Sequence, residues 1–161
     1  MLRLQPRCRG HDQTDPNAGA YYVCNPNNPT RTITPRKKIE YLLANKKPDA
    51  IVVVDEAYIH CAHSAQPSSD LVAAGKNVVV LRTFSKIYGM AGVHACFAMG
   101  RPDLLKKLSP YGIGMLPITG IACATASLKA KSLVPERRAH EKCSRRYLRL
   151  SREEKYYLHS E

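Results

Sequence analysis

The chain has no tryptophan and only two phenylalanines. Aromatic platforms on which single-stranded bases stack are therefore sparse. Acidic residues are also scarce: 13 Asp and Glu stand against 25 Lys and Arg, for a formal charge of +12. That balance suits an anionic partner, but the charge is not gathered into one block. Arg3, Arg7 and Arg9 open the chain, Arg36, Lys37, Lys38, Lys46 and Lys47 surround one helix candidate, and the rest is densest after Lys129. No zinc finger, RNP motif or arginine-glycine tract is present. A solvated basic surface is expected, with no nucleic-acid partner. The apolar runs are all strand-sized, so no membrane span is expected. Residues 1–13 are basic without an apolar h-region, which argues against a signal peptide.

The six cysteines, Cys8, Cys24, Cys61, Cys96, Cys123 and Cys143, are widely spaced and form no Cys-x-x-Cys pair. Several sit in apolar runs, where a free thiol behaves as a small hydrophobe. Buried thiols in a reducing, cytoplasmic setting are expected. His60 and His63 flank Cys61, but no second ligand cluster lies at suitable spacing, so no metal site is expected.

What remains is a strand and helix alternation. Residues 1–18 read as an irregular lead-in, and Ala20 to Cys24 as a short buried strand. Thr34 is expected to cap a helix whose first position is Pro35, with Ile39, Leu42 and Leu43 on its apolar face. Ala50 to Val54 is a second strand, Asp70 to Ala74 a short helix stopped by Gly75, and Asn77 to Leu81 a third strand. Val93 to Met99 is a fourth apolar run, Pro102 to Leu108 a helix, and Thr119 to Lys131 an Ala-rich helix. From Pro135 the spacing of Ala139, Cys143, Tyr147 and Leu150 predicts one long basic amphipathic helix. The order indicates an α/β fold: a partial, mostly parallel sheet with crossover helices, ending in a long helix. The expected division is 1–18 lead-in, 19–131 α/β unit and 132–161 terminal helix.

In such sheets ligands bind beyond the carboxyl ends of the strands. Asn25 through Asn28, Asp55, and Thr83 through Lys86 all fall there. A lysine behind two hydroxyls at the mouth of a strand suits carbonyl chemistry, because its amine forms a Schiff base once its pKa is lowered. An aspartate at the neighbouring strand end suits a pyridinium nitrogen. The pair is what pyridoxal phosphate requires of a protein. Taken alone, Lys86 is also readable as a surface lysine at a helix start, Asp55 as a turn cap and Asn28 as a turn former in a Pro-rich loop.

Asn25-Pro26-Asn27-Asn28-Pro29-Thr30, Asp55-Glu56-Ala57-Tyr58, Thr83-Phe84-Ser85-Lys86 and Gly89-Met90-Ala91-Gly92, in this order, resemble the class I/II (fold-type I) aminotransferases, most closely the histidinol-phosphate branch. The resemblance runs from about Ala20 to Pro117. It implies that the described unit is part of the large domain of such an enzyme, that pyridoxal 5'-phosphate is the cofactor, and that Lys86 is the catalytic lysine. It further implies that Asp55 meets the pyridinium, that Asn28 and Tyr58 meet the ring hydroxyl, and that Thr83 and Ser85 hold the phosphate. Glu56 is expected in a structural or interface contact. The implied substrates are an amino acid or amino-phosphate and a 2-oxo acid, and the implied assembly is a homodimer. Three positions depart from the family pattern. His94 stands where an arginine completes the phosphate grip, Cys96 where glycine is usual, and Arg31 where glycine follows Asn-Pro-Thr, in a left-handed turn. With the chain far shorter than the family, these departures also fit a truncated, catalytically inactive remnant. A basic nucleic-acid module is the third reading.

Overall fold

The computed structural model describes residues 18–112 and 114–140. Four strands form one sheet in the order β1 (Ala20–Cys24), β2 (Ile51–Asp55), β3 (Val78–Thr83), β4 (Cys96–Gly100). The first three run parallel, with Tyr21 opposite Val52, Cys24 opposite Asp55, and Asp55 opposite Leu81. The fourth is antiparallel, with Thr83 opposite Cys96. Valine dominates β2 and β3 because branched side chains pack well on a pleated, buried surface.

Helix α1 (Arg36–Asn45) crosses from β1 to β2, and α2 (Ser69–Ala73) from β2 to β3. Both cover the same sheet face. Tyr21, Val23, Val52, Val54, Val78 and Val80 meet Ile39 and Leu42 of α1 and Leu71 of α2 in one buried cluster. Helix α2 ends at Gly75, whose φ of 68° is the left-handed stop expected there. Helices α3 (Pro102–Leu108) and α4 (Ile118–Lys129) follow β4, and residues 133–140 are helical where the described residues end.

Several expectations need correction. Thr34 does not cap α1: Pro35 occupies the cap position with no side-chain hydrogen bond, and the helix begins at Arg36. The Thr34 backbone instead exchanges two bonds with the Asn25 side chain, its N–H donating to Oδ1 (2.9 Å) and its carbonyl accepting from Nδ2 (3.3 Å). Its hydroxyl is left buried without a partner. Strand β3 extends two residues beyond Leu81, so Thr83 ends the strand and does not lie in the loop after it. The fourth apolar run becomes strand only from Cys96, after a 3₁₀ turn at Ala91–Val93 and a left-handed His94. The expectation of buried thiols fails at Cys96 and Cys123, which are exposed. A turn at residues 131–132 separates α4 from the helical residues 133–140. The lead-in at 1–17 and the apolar positions Cys143, Tyr147 and Leu150 lie outside the described residues, as does Cys8. Among the described residues, no helix is long and apolar enough to cross a membrane.

Candidate active site

The carboxyl ends of β1, β2 and β3 meet at one sheet edge, and backbone bonds carry the ladder past each end. Asn25 N donates to Asp55 O (2.8 Å), and Glu56 N donates to Leu81 O (2.9 Å). The segment after β1, the Asp55 segment and the Lys86 turn are thereby locked side by side. Both Asn-Pro bonds, Asn25–Pro26 and Asn28–Pro29, are cis.

Asn28 and Tyr58 come together as the resemblance implies: the Asn28 amide donates to the Tyr58 hydroxyl at 3.2 Å. The Lys86 ammonium sits over the Tyr58 ring, 5.3 Å from its centroid, within range of a cation–π attraction. Lys86 is exposed and has no carboxylate partner among the described residues. Thr83 and Ser85 also meet. The Thr83 hydroxyl donates to Ser85 Oγ (2.9 Å) and accepts from Ser85 N (3.0 Å), a turn that brings the two hydroxyls together.

His94 joins this turn through its neighbour. Ala95 O accepts from Phe84 N (3.0 Å) and lies 3.5 Å from the Thr83 hydroxyl. His94 is left-handed, with φ 52°, as is Arg31, with φ 57°. Histidine is among the residues that enter this region more readily than most. Helix α4 braces the same segment. A Cβ on Gly120 would lie 3.3 Å from Val93 Cγ1, and Ser127 Oγ is 3.4 Å from Met90 Sδ. The close approach of α4 to the 3₁₀ turn therefore depends on glycine at position 120.

Asp55 is half-buried at the end of β2, and Oδ1 accepts from Ala57 N at 2.9 Å. Its other oxygen accepts a hydrogen bond from the Tyr22 hydroxyl. Partial burial of a side chain that is still more than half exposed, and then the hydrogen bond to Asp55, push the Tyr22 phenol above its ordinary range, so Tyr22 stays the donor. Sequence reasoning missed Tyr22. Only the register shows it: with Cys24 opposite Asp55 in a parallel pair, the residue two positions upstream shares the Asp55 face.

Behind the site, Glu56 is fully buried. Its Oε1 accepts from Ser68 N (2.5 Å), and its Oε2 accepts from Arg82 Nε (3.0 Å) and Nη2 (2.9 Å). The contact expected of Glu56 is thus structural: it ties β2 to β3 directly behind Asp55 and Lys86. Arg82 was likewise missed, because an arginine inside a valine-rich strand carries no local sign of its partner. On the same side Arg138, from the helical residues after α4, donates to the His60 carbonyl, and His60 meets the Tyr88 ring edge-on at 5.6 Å.

The groups at this edge are an exposed amine, a carboxylate at its neighbouring strand end, a phenol–amide pair, and two adjacent hydroxyls. Those groups match an aldehyde, a pyridine nitrogen, a ring hydroxyl and a phosphate, the four polar parts of pyridoxal phosphate.

The model for the family described as "Aminotransferase class I and II" matches residues 9–157. The chain belongs to the class I and II aminotransferase family. A histidinol-phosphate aminotransferase of Shewanella amazonensis is 41% identical over 110 residues, covering 63% of this chain and 30% of that protein. An aromatic amino acid aminotransferase of Mycolicibacterium vanbaalenii is also 41% identical, over 108 residues, covering 66% of the chain and 30% of its relative. The chain thus spans under a third of the length of either. Among solved structures, the histidinol-phosphate aminotransferase of Sinorhizobium meliloti, in complex with pyridoxal-5'-phosphate, superimposes with a TM-score of 0.70 at 29% identity, over 82% of this chain and 36% of that one. An L-threonine-O-3-phosphate decarboxylase of Porphyromonas gingivalis shares the fold alone, with a TM-score of 0.60 at 22% identity over 72% of this chain and 38% of its own. The α/β fold of this family member is therefore the mixed sheet described above.

Proposed function

We propose that this chain supplies the central part of a site for pyridoxal 5'-phosphate-dependent transamination between an amino acid, or an amine resembling histidinol phosphate, and a 2-oxo acid. The observation that carries the reading is the convergence of Lys86, Tyr58 and Asn28 from three strand ends, with Asp55 one strand away. Lys86 would hold the cofactor through its amine. When bound, that cofactor supplies an electron sink for the bonds at the substrate's α-carbon. Lys86 Nζ would then be the group that takes and returns the α-proton. Among the described residues it has no carboxylate partner, which leaves that amine available.

Asp55 would face the pyridine nitrogen through Oδ2, the oxygen it now shares with the Tyr22 hydroxyl. Asn28 and Tyr58 would orient the ring oxygen, and the Thr83 and Ser85 hydroxyls would take the phosphate. His94 would complete that grip where the family pattern has arginine, without arginine's bidentate fork. The amino donor is left open, since histidinol-phosphate and aromatic aminotransferases are equally similar to this chain. A homodimer is the assembly this reading carries with it.

A second reading, cofactor retention without turnover, draws on one observation. The sheet face that carries Asp55 is open, and Tyr22 on it is 57% exposed. Water exclusion is a large part of what an active site contributes. Adding pyridoxal phosphate to the chain and then an amino donor separates the two. A visible absorption band that forms with the parent but not with Lys86→Ala supports cofactor binding, and its bleaching by an amino acid supports transamination. A band of equal size in Lys86→Ala overturns both readings.

A further inference from the structure

The sheet fixes Asp55 and Thr83 at the ends of β2 and β3, but Tyr58 and Lys86 each lie three residues beyond those ends. Loop contacts must therefore set how the Tyr58 ring lies beneath the Lys86 ammonium. Each loop is first closed on itself. Ile59 N donates to Glu56 O (3.0 Å) and Cys61 N to Tyr58 O (3.0 Å), which winds Ile59–Cys61 into a 3₁₀ turn with Ile59 buried as its apolar anchor. In the second loop Gly89 N donates to Lys86 O (3.0 Å) and Met90 N to Phe84 O (3.1 Å). Phe84 is buried, and its ring meets that of Tyr88 at 5.0 Å, so packed rings flank Lys86 in sequence.

His60 bridges the two loops through its edge-on contact with Tyr88. Its carbonyl accepts from the guanidinium of Arg138, 78 residues later in the chain. Arg138 is half-buried and has no carboxylate partner among the described residues. A hydrogen bond from a charged donor is stronger than one between neutral groups. The neighbouring Arg137 lies over the other loop: a Cβ on Gly89 would stand 3.7 Å from Arg137 Nη2. Successive helical residues are about 100° apart around the axis, so two adjacent arginines can reach two neighbouring loops. The helical residues 133–140 thus lie across both the Tyr58 turn and the Lys86 loop.

We propose that Arg138 is a positioning residue for Tyr58 and Lys86: clamped on the His60 carbonyl, it keeps the Tyr58 turn against the Lys86 loop and so keeps the phenol ring beneath the ammonium. Its bearing on chemistry rests on the transamination reading, in which Lys86 holds the cofactor and Tyr58 orients it. A misplacement of about 1 Å is enough to spoil such an arrangement. The clamp itself is made without the cofactor.

The test is nuclear magnetic resonance on the cofactor-free full chain, comparing the parent with Arg138→Ala, Arg138→Lys and Lys131→Ala. In the parent, the Tyr58 ring protons should show cross-relaxation with the ε-methylene of Lys86. Arg138→Ala should abolish that signal and speed exchange of the Cys61 amide about ten-fold, for the loss of one charge-assisted hydrogen bond. Amide exchange in β2 and β3 should stay as in the parent, which separates lost placement from a general loss of stability. Arg138→Lys keeps a charged donor and should restore both readouts. Lys131→Ala, at an exposed position just ahead of the same helical residues, should change neither. With pyridoxal phosphate added, affinity should fall about ten-fold in Arg138→Ala. Four outcomes overturn the proposal: a Tyr58–Lys86 signal that survives in Arg138→Ala, exchange in β2 and β3 accelerated by the same factor, no recovery in Arg138→Lys, or a cofactor affinity unaltered by Arg138→Ala. Failure of the parent to bind pyridoxal phosphate would strike the transamination reading alone, since the magnetic resonance readouts need no cofactor.

Discussion

Removing the Glu56 carboxylate tests how firmly the back of the site is built. The Glu56 side chain is fully buried, and Arg82 is 17% exposed. Glu56→Ala leaves the Arg82 guanidinium largely buried without its partner and the Ser68 N–H without an acceptor. Breaking a buried pair from one side costs about 3–5 kcal/mol. Partial exposure of Arg82 moves the expectation to the lower end, about 3 kcal/mol, before an added contribution of about 1–3 kcal/mol from the orphaned Ser68 amide. Against the ~5–15 kcal/mol of a typical domain, that is a large share. Glu56→Gln should fare little better, since its amide places N–H donors against donors. Replacing both partners, as Glu56→Leu with Arg82→Met, should recover more than half of the loss, because no charge is then stranded. Urea unfolding followed by far-ultraviolet circular dichroism reads all four proteins. A Glu56→Ala chain within about 0.5 kcal/mol of the parent would refute the argument, because surface substitutions alone produce changes of that size.

His94→Arg should tighten pyridoxal phosphate about ten-fold by fluorescence titration, since a guanidinium forks onto phosphate oxygens in a way an imidazole cannot. The gain is reduced by the cost of holding arginine at φ 52°; equal affinities of the two proteins would remove His94 from the phosphate grip. Burial first, then Arg82 and Arg138, lower the His60 pKa. The folded chain thus takes up fewer protons than the unfolded one, so stability should fall as pH drops below about 6.5, the ordinary histidine value. His60→Gln should flatten that slope between pH ~5 and ~6.5 in thermal unfolding, and an unchanged slope would assign the effect to other groups.

The strand and helix order was legible because valine-rich runs and the 3.6-residue spacing of Ile39, Leu42 and Leu43 are local signals. The positions of Asn28, Asp55, Tyr58 and Lys86 at strand ends were equally legible, since topology alone sends them to one edge. Tyr22 and Arg82 escaped notice because their partners are fixed by strand register, which no short window of sequence contains. Thr34 misled for the opposite reason. It has the right residue type and place for a cap, yet Asn25 had already claimed its backbone. The exposed Cys96 shows the same limit, since an apolar run cannot say which sheet face lies open.

The central claim is that Lys86 is the residue that holds the cofactor. The direct measurement is borohydride reduction of the full chain with pyridoxal 5'-phosphate, followed by peptide mass spectrometry. The account predicts a pyridoxyl group on the peptide containing Lys86, lost in Lys86→Ala while the other lysines stay unlabelled. Label spread evenly over surface lysines, and undiminished by Lys86→Ala, would contradict it.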